Sequence, residues 1–371
     1  QAEDGIRDVE RSRGLGDVYK RQDKKDDGDE VKKAFILSVL LLLFLFNACD
    51  KEMTKPADRN LLLDNYDYIL PDYFVTAIAF DSRGTAWIGT FKQGIIKYNG
   101  SATYYDSDNS NLPDSIVVRD IAVDKNNVVW IGSDAGLIKY SEDRFTVYDT
   151  ANSPLAENVV WSIAVDADNV LWLASCRFRQ GGLMTFDGLN WTLYTPDNSE
   201  MPANGIQSIT IDSQNRIWLT AGNAGCVVRI SNNAWTIFGE EEIGFRPYYP
   251  WDIAVDGEDA VYVTIDYRLS SLADMTRPNL IKYNGKNWTV INPVDENGES
   301  LGYVECVCCD LDGKVWVSVY GGQYWGLAVY DGNIWKYNDG DGLFGSIFEI
   351  AVDSEDTIWI GTGDGIYLIE Q

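Results

Sequence analysis

From residue 75 onward the chain is written in short runs of alternating apolar and polar residues. Gly, Asn, Asp and Ser separate them. Alternation of period two predicts half-buried β-strands, and those separators predict tight turns. An aspartate closes such a run seven times, at Asp81, Asp124, Asp166, Asp212, Asp256, Asp310 and Asp353. The steps are 43, 42, 46, 44, 54 and 43 residues. Six residues after each aspartate stands an aromatic: Trp87, Trp130, Trp172, Trp218, Tyr262, Trp316 and Trp359. A period in the low forties built from short strands predicts a propeller.

Each unit reads as four strands: A ("SIAVD"-like), B ("IWIGT"-like), C ("GLIKY"-like) and D ("WTLY"-like). Two residues before the anchor aspartate stands a small residue, Ala79, Ala122, Ala164, Thr210, Ala254, Cys308 or Ala351, as a crowded innermost strand requires. The large aromatics of strands B and D suit the wider space toward the rim. The expected fold class is all-β, a single seven-bladed β-propeller over residues 60–371. The last unit, "AVDSEDTIWIGTGDGIYLIEQ", supplies only strands A to C. Leu63 stands seven residues before Leu70-Pro71, as Tyr105 stands seven before Leu112-Pro113. Residues 60–64 are therefore expected to pair beside Gly365–Glu370, close the ring from the N-terminal side and set its boundary.

Seven internal copies can be compared with one another. At five residues before the aspartate the repeat breaks into Thr76, Arg119, Trp161, Gln207, Trp251, Glu305 and Phe348. Propeller topology puts this position at the top mouth of the central channel, on the face where the D–A and B–C loops open. Ten of the 13 tryptophans occupy strand B or D slots; the other three, Trp161, Trp251 and Trp325, map to that face. Its loops are short in blades 1, 2 and 7 and long in blades 3, 5 and 6. Aromatics and arginines gather in the long ones. The candidate ligand-binding residues are Arg119, Trp161, Arg177, Arg179, Arg246, Tyr248, Tyr249, Trp251, Tyr267, Arg268, Tyr303, Glu305, Tyr324, Trp325 and Phe348. Aromatic faces stack on the C–H patches of sugar rings, and arginine donates paired hydrogen bonds to hydroxyl or carboxylate groups. A saccharide or glycan fragment is the leading ligand class, with arginines in an acidic protein favouring an anionic sugar. The same loops could instead pack on one another, dock an envelope protein, or place the arginines against Glu305 and Asp252.

"AWIGTFKQGIIKY", "VWIGSDAGLIKY" and "IWIGTGDGIYLI" resemble the repeat of the two-component regulator propeller family. The resemblance implies the propeller fold and, in relatives, a periplasmic sensor of hybrid two-component systems that often senses oligosaccharides. This chain shows one seven-bladed set, with no immunoglobulin-like domain, membrane helix or kinase after it. The fold also resembles streptogramin lyase. Such propeller lyases depend on histidine, and this chain has none. A tyrosine–arginine lyase site from Tyr248, Tyr249 and Arg268 is the remaining enzymatic option; a binding role is favoured over an enzyme.

The N-terminus reads differently. "DVYKRQ" (Asp17–Gln22) resembles a translated sequencing-library adapter, so residues 1–30 are set aside from the fold, with Val31 the expected start. In "KKAFILSVLLLLFLFNACDKE" a basic pair precedes the apolar run Ala34–Phe46, shorter than the ~20 residues of a membrane span. Phe46-Asn47-Ala48-Cys49 resembles a bacterial lipobox. It implies a signal peptide over 31–48, lipidation of Cys49, a linker over 49–59, and a Bacteroidetes-like lipoprotein of the outer membrane, periplasmic or surface-exposed. Five cysteines follow Cys49. Cys176 and Cys226 are placed to form a disulfide, while Cys308 reads as core.

Net charge is −27, and the first 48 residues are nearly balanced with 9 basic and 10 acidic. The acidity thus belongs to the folded part and disfavours nucleic acid. Turns such as "DLDG" (310–313) and "DGDG" (339–342) lack the full calcium loop. No metal and no cofactor are expected, and the chain is expected to be monomeric.

Overall fold

In a computed structural model of the chain, described over residues 66–177, 180–267, 277–321, 325–338 and 344–371, one carboxylate organises each blade. In blade 3, Asp166 Oδ1 accepts the N–H groups of Asp168 and Val170, both at 2.9 Å. Its Oδ2 accepts the indole N–H of Trp172 at 3.0 Å. Trp130, Trp218, Trp316 and Trp359 bond Asp124, Asp212, Asp310 and Asp353 in the same way. Tyr262 does so through its hydroxyl to Asp256, at 3.0 Å. The aromatic six residues on is thus the partner that completes the turn. Blade 1 is the exception. Asp81 faces Arg83 at 3.4 Å, and the Trp87 indole N–H is buried without a partner.

Seven four-stranded antiparallel sheets follow. The cross-strand register explains the small residue near the end of strand A. Ala79 sits opposite Trp87, Ala122 opposite Trp130, Ala164 opposite Trp172, Thr210 opposite Trp218 and Cys308 opposite Trp316. A bulky residue there would compete with the indole for one space. The core is divided into layers between consecutive blades. Trp87 packs with Ile121, Ile131 and Phe145 of blade 2, and Trp130 with Leu171, Leu173 and Phe186 of blade 3.

The glycine of the "WIG" segments serves these layers. A Cβ at Gly89 would lie 2.2 Å from Val118 Cγ1 of blade 2, and one at Gly361 would lie 2.7 Å from Val75 Cγ1 of blade 1. Blades 4 and 5 place a threonine at this position. Thr220 and Thr264 hydroxyls donate to the Trp251 and Glu305 carbonyls of the next blade, at 2.9 and 3.1 Å.

Two expectations are corrected. The strand that completes the last blade is β1 (Asp67–Ile69), paired as Asp67↔Leu368 and Ile69↔Ile366; residues 60–64 lie outside the described residues. The Leu-Pro alignment implied a loop like Asp106–Asn111, but here Leu70 directly follows the strand. Cys176 and Cys226 are both free and buried. Cys176 Sγ approaches the Ile206 carbonyl at 3.5 Å, and Cys226 packs in the layer between blades 3 and 4.

A further belt ties the bottom turns together. Ser82 N–H donates to Asn127 Oδ1 at 2.9 Å, Ala167 N–H to Asn215 Oδ1 at 2.7 Å, and Ser213 N–H to Asp259 Oδ1 at 2.9 Å. The acceptors sit at positive φ, 59° for Asn127 and Asn215 and 65° for Asp259, which Asn and Asp tolerate. Blades 1 and 6 have Gly84 and Gly313 there, where a Cβ would meet nothing within 4 Å. Gly313→Asn should therefore add the missing link from the Gly257 N–H and stabilise by about 0.5–1.5 kcal/mol, while Asn215→Gly should lose a similar amount. Thermal melts of both variants test this; a Gly313→Asn protein that melts lower than the parent contradicts the belt.

Candidate functional site

Strand A lines the channel, and a register shift interrupts it near its start in six blades. It falls between Val160 and Ile163 in blade 3, and between Pro250 and Ile253 in blade 5. A bulge re-aims the side chains it carries. In blades 1, 2 and 7 it skips only the residue five before the aspartate, and in blades 3, 5 and 6 it skips the residues five and four before it. The Phe91↔Val117 bridge and the 2.9 Å bond from Val117 N–H to Asp134 Oδ1 place this end beside the B–C loops.

An open cavity on that face lies at blade 5. Phe245, Arg246, Tyr248, Tyr267, Arg277 and Pro278 line an open space of about 440 Å³. Its walls are the D–A approach to blade 5 and the two ends of that blade's B–C loop. The approach is fixed from below. A short helix (Glu240–Ile243) ends at Gly244, whose φ is 89°. Tyr249 OH accepts from Gln207 Nε2 at 2.9 Å, and Gln207 Oε1 in turn accepts from Gly222 N–H at 2.6 Å. Tyr248 and Tyr267 stack with ring centroids 6.1 Å apart. Tyr267 is 2% exposed and Tyr248 38%, so one ring is floor and the other is offered outward. Arg277 lies 5.8 Å from the Tyr267 ring, and its Nε is buried without an acceptor. The cavity is thus an aromatic shelf flanked by two guanidinium groups, Arg246 and Arg277.

Of the sequence candidates, Arg246, Tyr248 and Tyr267 meet in this cavity. The rest form separate groups around the mouth. Arg119 stacks on Trp161 at 4.4 Å. Tyr249 and Trp251 lie 6.1 Å apart. Tyr303, Tyr320 and Trp325 form a chain with steps of 5.8 and 6.1 Å. Phe348 packs on Phe74 at 4.4 Å. Cys49, Arg179, Arg268, Tyr324 and the side chain of Arg177 lie outside the described residues. Phe245, Arg277 and Pro278 were missed, although they lie within the long blade 5 loops. Tyr249 is a poor candidate base. Burial, with Cys176 and Asp266 nearby, pushes its hydroxyl up to about 12. Asp252 accepts from Ser208 Oγ and Val307 N–H, each at 2.9 Å, and forms no ion pair with Arg119 or Arg246.

A second group escaped the sequence reading. Four residues before the anchor stand Ala77, Asp120, Ser162, Ser208, Asp252, Cys306 and Glu349, a polar column visible in the repeat but unused. In the fold they stitch neighbouring inner strands together. Asp120 Oδ2 accepts from Ser162 Oγ and Ile163 N–H, both at 2.8 Å. Ser162 Oγ accepts from Ile209 N–H at 3.1 Å. The carboxylates keep some accessible surface because they line the channel, yet protein atoms surround them closely. Burial raises Asp120 and Asp252 to about 6 each, opposed by these hydrogen bonds and reinforced by neighbouring carboxylates. Glu349 is raised well above the usual range by burial, then by Asp252 and Asp120. Among the described residues, no cluster of three or more His, Cys, Asp or Glu could hold a metal ion. No helix among them is long and apolar enough to cross a membrane.

Residues 69–92, 111–135 and 154–177 match the two component regulator propeller family. A search of curated proteins returns no match. Among solved structures, it is similar to an extracellular domain from B. thetaiotaomicron, described as belonging to a hybrid two component system. That likeness has 18% identity and a TM-score of 0.63, and covers 82% of this chain and 41% of that one. It is similar to virginiamycin B lyase from Staphylococcus aureus, with 15% identity, a TM-score of 0.64 and coverage of 83% and 99%. PorZ, a surface component of the type-IX secretion system of Porphyromonas gingivalis, shares 16% identity and a TM-score of 0.59, over 86% and 48%. These likenesses show the fold. The chain spans about two fifths of the hybrid-system domain and about half of PorZ.

The channel carboxylates carry a pH signature. Their folded values lie above the ~4 of an unfolded carboxyl, so they favour the folded state below that value. The contribution is lost as pH rises through about 6. The chain should therefore melt higher at pH 5.5 than at pH 7.5, with about 1–3 kcal/mol at stake per group. Glu349→Gln should raise the melting temperature at pH 7.5 and shrink that difference. Melting that is flat or falling from pH 7.5 to 5.5 would refute the coupling.

Proposed function

We propose that the propeller is an envelope binding module whose top face takes a saccharide or glycan fragment at the blade 5 cavity. The observation that carries this reading is the outward Tyr248 ring stacked on buried Tyr267 between Arg246 and Arg277. An aromatic shelf receives the C–H face of a sugar ring, and flanking guanidinium groups bond its hydroxyl or carboxylate oxygens. The cavity is concave, mostly apolar and has few polar groups, as small-ligand sites are. The low-identity likenesses to an extracellular domain of a hybrid two component system and to a secretion component are compatible with an envelope location. We place the anchor at Cys49, through a lipid on its thiol, with the propeller monomeric.

Docking of an envelope protein is the second reading. Exposed aromatics on the same face, Phe91, Tyr248 and Trp325, favour it. Lyase chemistry has less support. A histidine-to-alanine variant of virginiamycin B lyase is described as catalytically inactive, and this chain has no histidine.

A glycan array followed by calorimetry on the full chain tests the reading. Tyr248→Ala should weaken binding about tenfold or more, a loss of at least ~1.4 kcal/mol. Unchanged affinity in Tyr248→Ala would remove the cavity from the site. Binding to no glycan, together with capture of a defined envelope partner, would favour docking.

A further inference from the structure

We propose that Arg119 and Trp161 form a carboxylate-binding site at the mouth of the central channel, separate from the blade 5 cavity. Two neighbouring blades build it. Arg119 comes from strand A of blade 2 (Val118–Val123) and Trp161 from strand A of blade 3 (Val160–Val165). Both stand at the start of an inner strand, beside its register shift. The guanidinium carbon lies 4.4 Å from the Trp161 ring centroid. A cation–π contact at that distance holds the guanidinium against the ring without using its N–H donors, which stay available to a partner.

No described residue supplies that partner. Arg119 Nε is buried and has no acceptor. Among the described residues Arg119 makes neither a hydrogen bond nor an ion pair, whereas Arg83, Arg216 and Lys314 pair with the anchor aspartates Asp81, Asp212 and Asp310. Asp134, the acid whose charge acts on it, accepts the Val117 N–H at 2.9 Å. Burial weakens the hold of the guanidinium on its proton, which marks a charge poorly solvated where it sits. A buried charge without a partner is costly, and an incoming anion removes that cost.

The chemistry selects a carboxylate among anions. One guanidinium offers one positive charge and a planar pair of donors, which matches a planar monoanion in two-pronged geometry. Asp120 follows Arg119 in the chain and, with Asp252 and Glu349, lines the channel. Their field disfavours a dianion such as phosphate. The ligand class is therefore a small organic acid or the acid group of a sugar.

Full-chain protein is titrated with acetate, D-glucuronate, D-glucose and inorganic phosphate at fixed ionic strength, read by calorimetry and thermal shift. Acetate and glucuronate should raise the melting temperature, and phosphate should not. Glucuronate should bind about tenfold tighter than glucose. Arg119→Lys, which keeps the charge and loses the fork, should weaken both carboxylates, and Arg119→Met should erase the preference for them. Without ligand, Arg119→Met should melt no lower than the parent, because it removes an unpaired buried charge; a purely structural stacking role predicts a lower melting temperature. Tyr248→Ala should leave acetate binding intact. No carboxylate preference in the parent, or a preference that survives Arg119→Met, overturns the site. Either result alongside glycan binding that Tyr248→Ala abolishes would refute this site alone. Carboxylate binding intact with no glycan bound would refute the cavity reading alone.

Discussion

The structure depends on a carboxylate that is fully engaged at the end of each inner strand. In blade 3 one oxygen holds two backbone N–H groups of the A–B turn and the other holds the indole of the next strand; a tyrosine hydroxyl takes the indole's place in blade 5, and Arg83 does so in blade 1. Burying a carboxylate is tolerable only when its lone pairs are met, and here they are. The same bonds fix the depth of the tryptophan, which becomes the main filling of the layer between two blades. Turn geometry and core packing are therefore one constraint. That is why the aspartate and the aromatic keep a spacing of six while loops elsewhere change length.

The two faces of the ring divide the labour. The bottom turns are uniform and linked blade to blade by Asn and Asp side chains. The top is free to vary because strand A loses its register there. At the bulge, residues leave the pleat and face the channel or its mouth. Polar side chains one position below the mouth bridge inner strands, as Asp120 does to blade 3 and Asp252 to blade 6. The side chains that could meet a ligand thus rest on a hydrogen-bonded collar, which rigidifies them against the channel wall.

The ring is also acidic at its axis, with Arg119, Arg246 and Arg277 presented at its mouth. Raised carboxylates in the channel mean that part of the negative charge is withdrawn under mildly acidic conditions. Arg119, Arg246 and Arg277 lie against aromatic rings or in the cavity wall. An anionic group approaching the top face meets local positive charge within a repulsive surround. That arrangement restricts binding to places where a guanidinium is presented at close range.

The sequence by itself determined the blades. Period, strand order, the Asp-to-aromatic spacing and the small residue opposite the indole are all local properties repeated seven times, so comparing the copies exposed them. It also located the irregular residues on one face. Tertiary structure alone decided which of them meet: Tyr248 with Tyr267 and Arg277, but Trp251 with Tyr249 and Arg119 with Trp161. It decided that Asp67–Ile69 closes the ring, since an edge strand is chosen by pairing and not by a motif. It left Cys176 and Cys226 apart as buried thiols. The polar column of Asp120, Asp252 and Glu349 was present in the repeat, yet its meaning was not. They stand on the inner strands of three separate blades, and closing the ring brings their acids within reach of one another. Local order follows from local residues, whereas proximity across the axis exists only once the ring has closed.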